Sequence, residues 1–182
     1  MVDAVMSSAM SSPSDRRSRP GVIVTHPNRD KPVVQATRAT VVLLLLVSAG
    51  LILVVTVSGW NVLESAVWVQ ILYIIIYLAF AFYATRWNRG VLPVAAVLAV
   101  LLAIFTLVAG PGWFDRAKPG FAPPDYLSAS VIGVLTLLIL PVQILLVAFA
   151  MRGFSQGWNV ELERRDPAAG AGLYTDAPAQ PA

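Results

Sequence analysis

Four stretches of this sequence contain no Asp, Glu, Lys or Arg: 25 residues between Arg38 and Glu64, 21 between Glu64 and Arg86, 25 between Arg89 and Asp115, and 26 between Asp125 and Arg152. About 20 apolar residues in a helix cross the hydrocarbon core of a bilayer, so each stretch is long enough to span one. In hydrocarbon a chain must satisfy its own backbone N–H and C=O groups, which selects helices for such runs. The sequence therefore predicts an all-α membrane protein: four transmembrane helices in an antiparallel bundle, with spans at about 40–60, 66–85, 91–109 and 127–151. Gly59, Asn61, Glu64 and Ser65, then Asn88 and Gly90, then Gly110, Pro111 and Gly112 punctuate the gaps.

Composition supports this solvent. The 182 residues are 57% hydrophobic and 13% charged, too apolar for an ordinary soluble domain. Residues 1–38 are polar and rich in Ser, Pro and Arg, and are expected to form a disordered basic tail with no cleavable secretory signal. Residues 152–182 form a second polar segment, flexible from about residue 166. Met6 and Met10 follow Met1 closely, so any of the three can start translation. Arginine greatly outnumbers lysine, and Ala and Pro are abundant, a usage expected of a GC-rich bacterial genome.

Charge placement predicts orientation. Arg16, Arg17, Arg19, Arg29, Lys31, Arg38, Arg86, Arg89, Arg152, Arg164 and Arg165 fall on one side of the four spans, against Arg116 and Lys118 on the other. Positive residues favour the cytoplasm, so both termini are expected there, in a multi-pass protein of the plasma membrane. This placement also accounts for the net charge of +3 without nucleic acid.

Several chemistries lack their residues. There is no cysteine and one histidine, His26, in the first tail. That excludes disulfides, thiolate metal sites, iron–sulfur clusters and a histidine pair for haem within one chain. No nucleophile elbow, phosphate-binding loop or intramembrane carboxylate is present, so no catalytic residue, cofactor or metal ligand is assigned, and no enzyme is expected. An enzyme acting on lipid through Asp115 or Asp125 is the weakest of the readings.

Packing and binding features remain. Ala95, Ala99 and Ala103 form a small-xxx-small ladder on the third span. On the fourth, Gly133, Thr136 and Gln143 share a face expected to turn inward, with Gln143 meeting a hydroxyl or carbonyl of another helix. Pro141 leaves the Leu137 carbonyl without its helical donor and is a candidate hinge. Gln70 and Tyr73, with Thr136 and Gln143, form a candidate site for a neutral solute. The third loop, with Trp113, Phe114, Asp115, Arg116, Phe121 and Tyr126, is a candidate surface for a protein partner. Trp158 to Glu163 alternates with a strand period and is a candidate edge for a cytoplasmic partner. Two functions follow as expectations: a non-catalytic accessory or assembly component that binds another integral membrane protein or itself, or a small homo-oligomeric channel or carrier for a neutral solute. Membrane lipid is a partner in both.

Overall fold

The computed structural model describes residues 22–25, 31–64, 66–158 and 162–165, with side chains for the second and third of these ranges. Four long helices dominate: α1 (Pro32–Ser58), α2 (Ala66–Thr85), α3 (Val91–Arg116) and α4 (Ala129–Ser155). All four are long and apolar enough to cross a membrane. A single helical turn, Trp60–Leu63, joins α1 to α2. Because the connections are short, successive helices run antiparallel. The terminal end of the bundle therefore carries residues 32 and 155, and the distal end carries the turn after α1 and the segment between α3 and α4.

α1 and α4 bury residues at alternating steps of three and four. On α4 these are Ile132, Thr136, Ile139, Gln143, Leu146, Ala150 and Gly153; on α1 they include Val41, Leu45, Ser48, Ile52 and Val55. That period keeps one seam facing its neighbours along a whole span. α1 packs against α2 and α4, and α4 packs against α3, while α2 and α3 touch along only a short stretch. The bundle is thus closed on three sides. Val131, Leu138 and Leu145 of α4 lie exposed on the outer face.

Four boundaries depart from expectation. α1 begins at Pro32, two turns before residue 40, so the last part of the first tail is helical. Proline suits the first helical position, where its missing N–H costs nothing, and Val34 and Thr37 then extend the buried stripe of α1. α3 does not stop at residue 109 but continues through Gly110, Pro111 and Gly112 to Arg116. The glycine is needed there: a Cβ on Gly110 would collide with the Leu137 side chain of α4. Trp113, one turn later, is buried with its ring against Gly59 of the first connection and its Cβ near Gly133 of α4. That packing outweighs the donor lost at Pro111. α4 starts at Ala129, where the Ser128 hydroxyl accepts from the Val131 N–H at 3.4 Å, and it runs on to Ser155. Pro141 sits inside this continuous helix.

The terminal end is closed by aromatic rings. α2 ends with Trp87 in the left-handed region, φ 61°, its N–H donating to the Ala84 carbonyl while the Asn88 N–H donates to Tyr83. Glycine usually takes that place in this helix stop. Here the indole is held instead: the Arg38 guanidinium lies 4.0 Å from its ring centre, and Trp158 meets it edge-on at 5.8 Å. Arg38 also donates to the Thr85 carbonyl at 3.2 Å, capping α2. Trp158 has no exposed surface, and its N–H donates to Gln156 Oε1 at 3.2 Å. The Gln156 amide in turn donates to Thr37 Oγ1 at 3.0 Å. Trp158 therefore belongs to the bundle core and not to a strand, because its ring fills the space over Gly153.

A separate unit pairs two short strands, β1 (Val22–Thr25) and β2 (Leu162–Arg165), antiparallel, with Val22 opposite Arg165 and Thr25 opposite Leu162. The strand expected at 158–163 thus lies at 162–165 and finds its partner in the same chain. The expected disorder of the basic tail (1–21 and 26–30), the breaker Ser65, residues 159–161 and the flexible end from residue 166 lie outside the described residues.

Two glycines of helical backbone should respond oppositely to alanine. A Cβ on Gly153 would lie 2.9 Å from Trp158 Cζ2 and 3.1 Å from Leu92 Cδ1, whereas one on Gly50 meets nothing within 4 Å. Gly153→Ala is expected to destabilise by about 1–3 kcal/mol through overpacking. Gly50→Ala is expected to stabilise by about 0.5–1 kcal/mol through backbone entropy. Thermal melts of the two variants in one detergent check the difference in sign.

Candidate functional site

Two polar features interrupt the apolar interior, and they lie at different depths. The deeper is a relay through Gln143, which has no exposed surface. The Tyr77 hydroxyl of α2 donates to Gln143 Oε1 at 2.9 Å, and Gln143 Nε2 donates to Ser48 Oγ of α1 at 2.9 Å. Ser48 passes its own proton to the Leu44 carbonyl at 2.7 Å. The three bonds run in one consistent direction, each member joined to the next, which lowers the cost of these groups in a dry core. Ser48 was not singled out in the sequence; the available signal is a hydroxyl on the buried stripe of α1.

The shallower feature is a cavity of about 330 Å³ near the distal end, lined by all four helices. Ile52 and Val55 of α1, Leu102, Thr106 and Trp113 of α3, and Thr136 and Ile139 of α4 form its buried walls. Its exposed lining residues, Ala66, Val69, Phe105 and Ala109, all belong to α2 and α3. The mouth is therefore the seam where these two helices fail to close. The Thr106 and Thr136 hydroxyls donate to carbonyls of their own helices, Ala103 at 2.9 Å and Ile132 at 2.8 Å, and so present mainly methyl groups.

Two groups on α2 keep unused polarity. Tyr73 lines the cavity, is 7% exposed, and touches Tyr77 and Phe105 edge-on at 5.8 and 6.4 Å, but its hydroxyl has no hydrogen bond to the described protein. Gln70 meets Thr56, whose hydroxyl also contacts the Ile52 carbonyl at 2.7 Å. A hydroxyl has one proton to give, so whichever acceptor takes it, the Gln70 amide retains at least one polar group without a protein partner.

The candidate solute site is thus divided. Gln70, Tyr73 and Thr136 line one cavity, while Gln143 is engaged in the relay and Pro141 is not among the lining residues. The alanine ladder is used internally: Ala95 and Ala99 have no exposed surface, Ala103 is half-buried, and the main neighbour of α3 is α4. The partner loop is divided too. Trp113, Phe114, Asp115 and Arg116 belong to the last turns of α3, with Trp113 buried, because the helix runs on past the glycines. Phe121 and Tyr126 remain exposed in residues 117–128, where they help line a polar groove of about 470 Å³ with Arg116, Lys118, Asp125, Ser128 and Ser130. Asp115 pairs with Lys118 at 2.6 Å on the surface.

No protein-family model, curated protein or solved structure matches the chain.

The relay predicts coupling between its members. Tyr77→Phe and Gln143→Leu each strand a buried partner and are expected to destabilise by about 1–3 kcal/mol, whereas the double variant should cost less than their sum. A double-mutant cycle of unfolding in detergent should return a coupling of about 0.5–2 kcal/mol. Strict additivity would mean that the hydrogen bond contributes nothing.

Proposed function

We propose that this chain is a non-catalytic accessory or assembly component of the plasma membrane, with both termini cytoplasmic, that binds another integral membrane protein at its outer face. The groove beside residues 117–128 carries this reading, because it is ordered before any partner arrives. Asn61 Nδ2 donates to the Pro123 carbonyl at 3.1 Å, tying the segment to the first connection. Pro119, Pro123 and Pro124 restrict it further, and Ser128 fixes its exit into α4. A restrained segment loses less entropy on docking. Phe121 and Tyr126 are nevertheless 57% and 75% exposed, beside the charges of Arg116, Lys118 and Asp125. Aromatic and Arg side chains carry much of the energy at protein interfaces.

The orientation rests on the charge pattern of the sequence, eleven basic residues in the two tails and the second connection against two in the third, and the β1–β2 pairing supports a shared side for both termini. A second reading, a carrier for a neutral solute, draws on Gln70, Tyr73 and Thr136 around one cavity. It is the weaker because Gln143 is already satisfied and the terminal end is filled by Trp87 and Trp158. Proteoliposome uptake unchanged by Gln143→Leu and Pro141→Ala would count against it.

Purification in mild detergent followed by mass spectrometry should recover a second membrane protein with the chain. Phe121→Ala combined with Tyr126→Ala should lower that recovery about tenfold or more without changing the melting temperature. Recovery of the chain alone would overturn the reading. The sequence has no cysteine, so single cysteines report sidedness directly. Lys118→Cys should react with an impermeant maleimide in intact cells, and Ser155→Cys only after permeabilisation.

A further inference from the structure

We propose that the cavity between α2 and α3 is a lateral lipid site, which takes one acyl chain of a membrane glycerolipid and holds its ester carbonyl with Gln70 and Tyr73. The inference is independent of any protein partner at residues 117–128.

Three observations combine. First, the cavity opens sideways, between membrane-spanning helices, through Ala66, Val69, Phe105 and Ala109. Close-packed interiors do not keep large voids open to their solvent empty, and water enters only where two to four polar groups hold it. What borders this opening is hydrocarbon, so an acyl chain is the natural occupant. Second, the size fits one chain and no helix. A volume of about 330 Å³ equals roughly ten water-sized units at about 30 Å³ each, enough for a run of methylenes, whereas a helix with side chains is about 10 Å across.

Third, the polar groups are placed for an ester. Gln70 lies one helical turn inside Ala66, the first residue of α2, and Tyr73 about one turn further, so both lie in the distal half of the span and above the relay. Tyr73 is nine-tenths buried with an unused hydroxyl, a costly state in hydrocarbon unless something accepts its proton. An ester carbonyl has lone pairs and no proton of its own, so it accepts from the Tyr73 hydroxyl and from an N–H of Gln70. The walls beyond, Ile52, Leu102 and Ile139, are apolar, and the Tyr73–Tyr77 edge contact closes α2 toward the relay. The chain therefore enters sideways through the α2–α3 seam and ends short of the relay.

The test compares two phosphatidylcholines with the same chains, one ester-linked and one ether-linked, the second lacking both carbonyls. The full-length protein is reconstituted into vesicles of each, released into mild detergent and examined by native mass spectrometry. The expected result is one retained lipid per chain, with the ester form retained about fivefold better. Tyr73→Phe with Gln70→Leu should erase that preference while leaving the fold intact by thermal melting. Ala109→Phe, which narrows the mouth, should abolish retention of either lipid. The proposal is overturned if wild type retains no lipid above the detergent background, if ester and ether forms bind equally, or if Ala109→Phe binds undiminished. Lipid-free dimers that Ala109→Phe disrupts would overturn it as well, by assigning the opening to a second copy.

Discussion

The amide of Gln143 sets the arrangement of this bundle. An amide at mid-span has no water to fall back on, so the fold must bring it a donor and an acceptor, and it does so from two different helices. Tyr77 fixes the rotation of α2, Ser48 that of α1, and Gln143 that of α4. In hydrocarbon the apolar surfaces of helices gain little by leaving lipid for one another, so such polar contacts and close backbone approaches decide which faces meet. α3 joins this trio by the second route. Ala95 and Ala99 let it lie against α4, Gly110 admits Leu137, and Gly133 admits Trp113 and Phe114.

From this follows the asymmetry of the molecule. Three helices share the relay and the fourth is attached through α4, so α2 and α3 have little that draws them together. At the terminal end, Arg38, Trp87, Trp158 and Gln156 tie α1, α2 and the residues after α4 into one cluster. At the distal end, Trp113 wedges among α1, α3 and α4 but does not reach across to close α2. The cavity is what remains: a place lined by Gln70, which spends part of its hydrogen-bonding capacity on Thr56, and by Tyr73, whose hydroxyl has no partner among the described residues.

Much of this was legible in the residues. Charge-free runs above 20 residues set the number and type of elements, and the inward face of α4 followed from the spacing of Gly133, Thr136 and Gln143. Gln70, Tyr73 and Thr136 were grouped as a candidate site in the residues, and they line one cavity. Less legible were the ends. Hydropathy alone places the start of α1 after Arg38, because a charged residue looks like the edge of a span. The structure uses that charge to cap α2 and to stack on Trp87. Gly110, Pro111 and Gly112 read as a stop because local propensity favours one, and the continuation of α3 rests on Trp113 finding space beside Gly59 and Gly133.

The sequence by itself determined the solvent of this protein and its secondary structure, because hydrocarbon leaves a long uncharged chain only the helix for its backbone. It also determined that Gln143 needed partners, since an unpaired amide is too costly there. Only the tertiary structure decided that those partners are Tyr77 and Ser48, that Trp158 fills the terminal end, and that the opening falls between α2 and α3. Those outcomes depend on how side chains from segments far apart in the chain fit together in three dimensions, which residue type and periodicity leave undetermined.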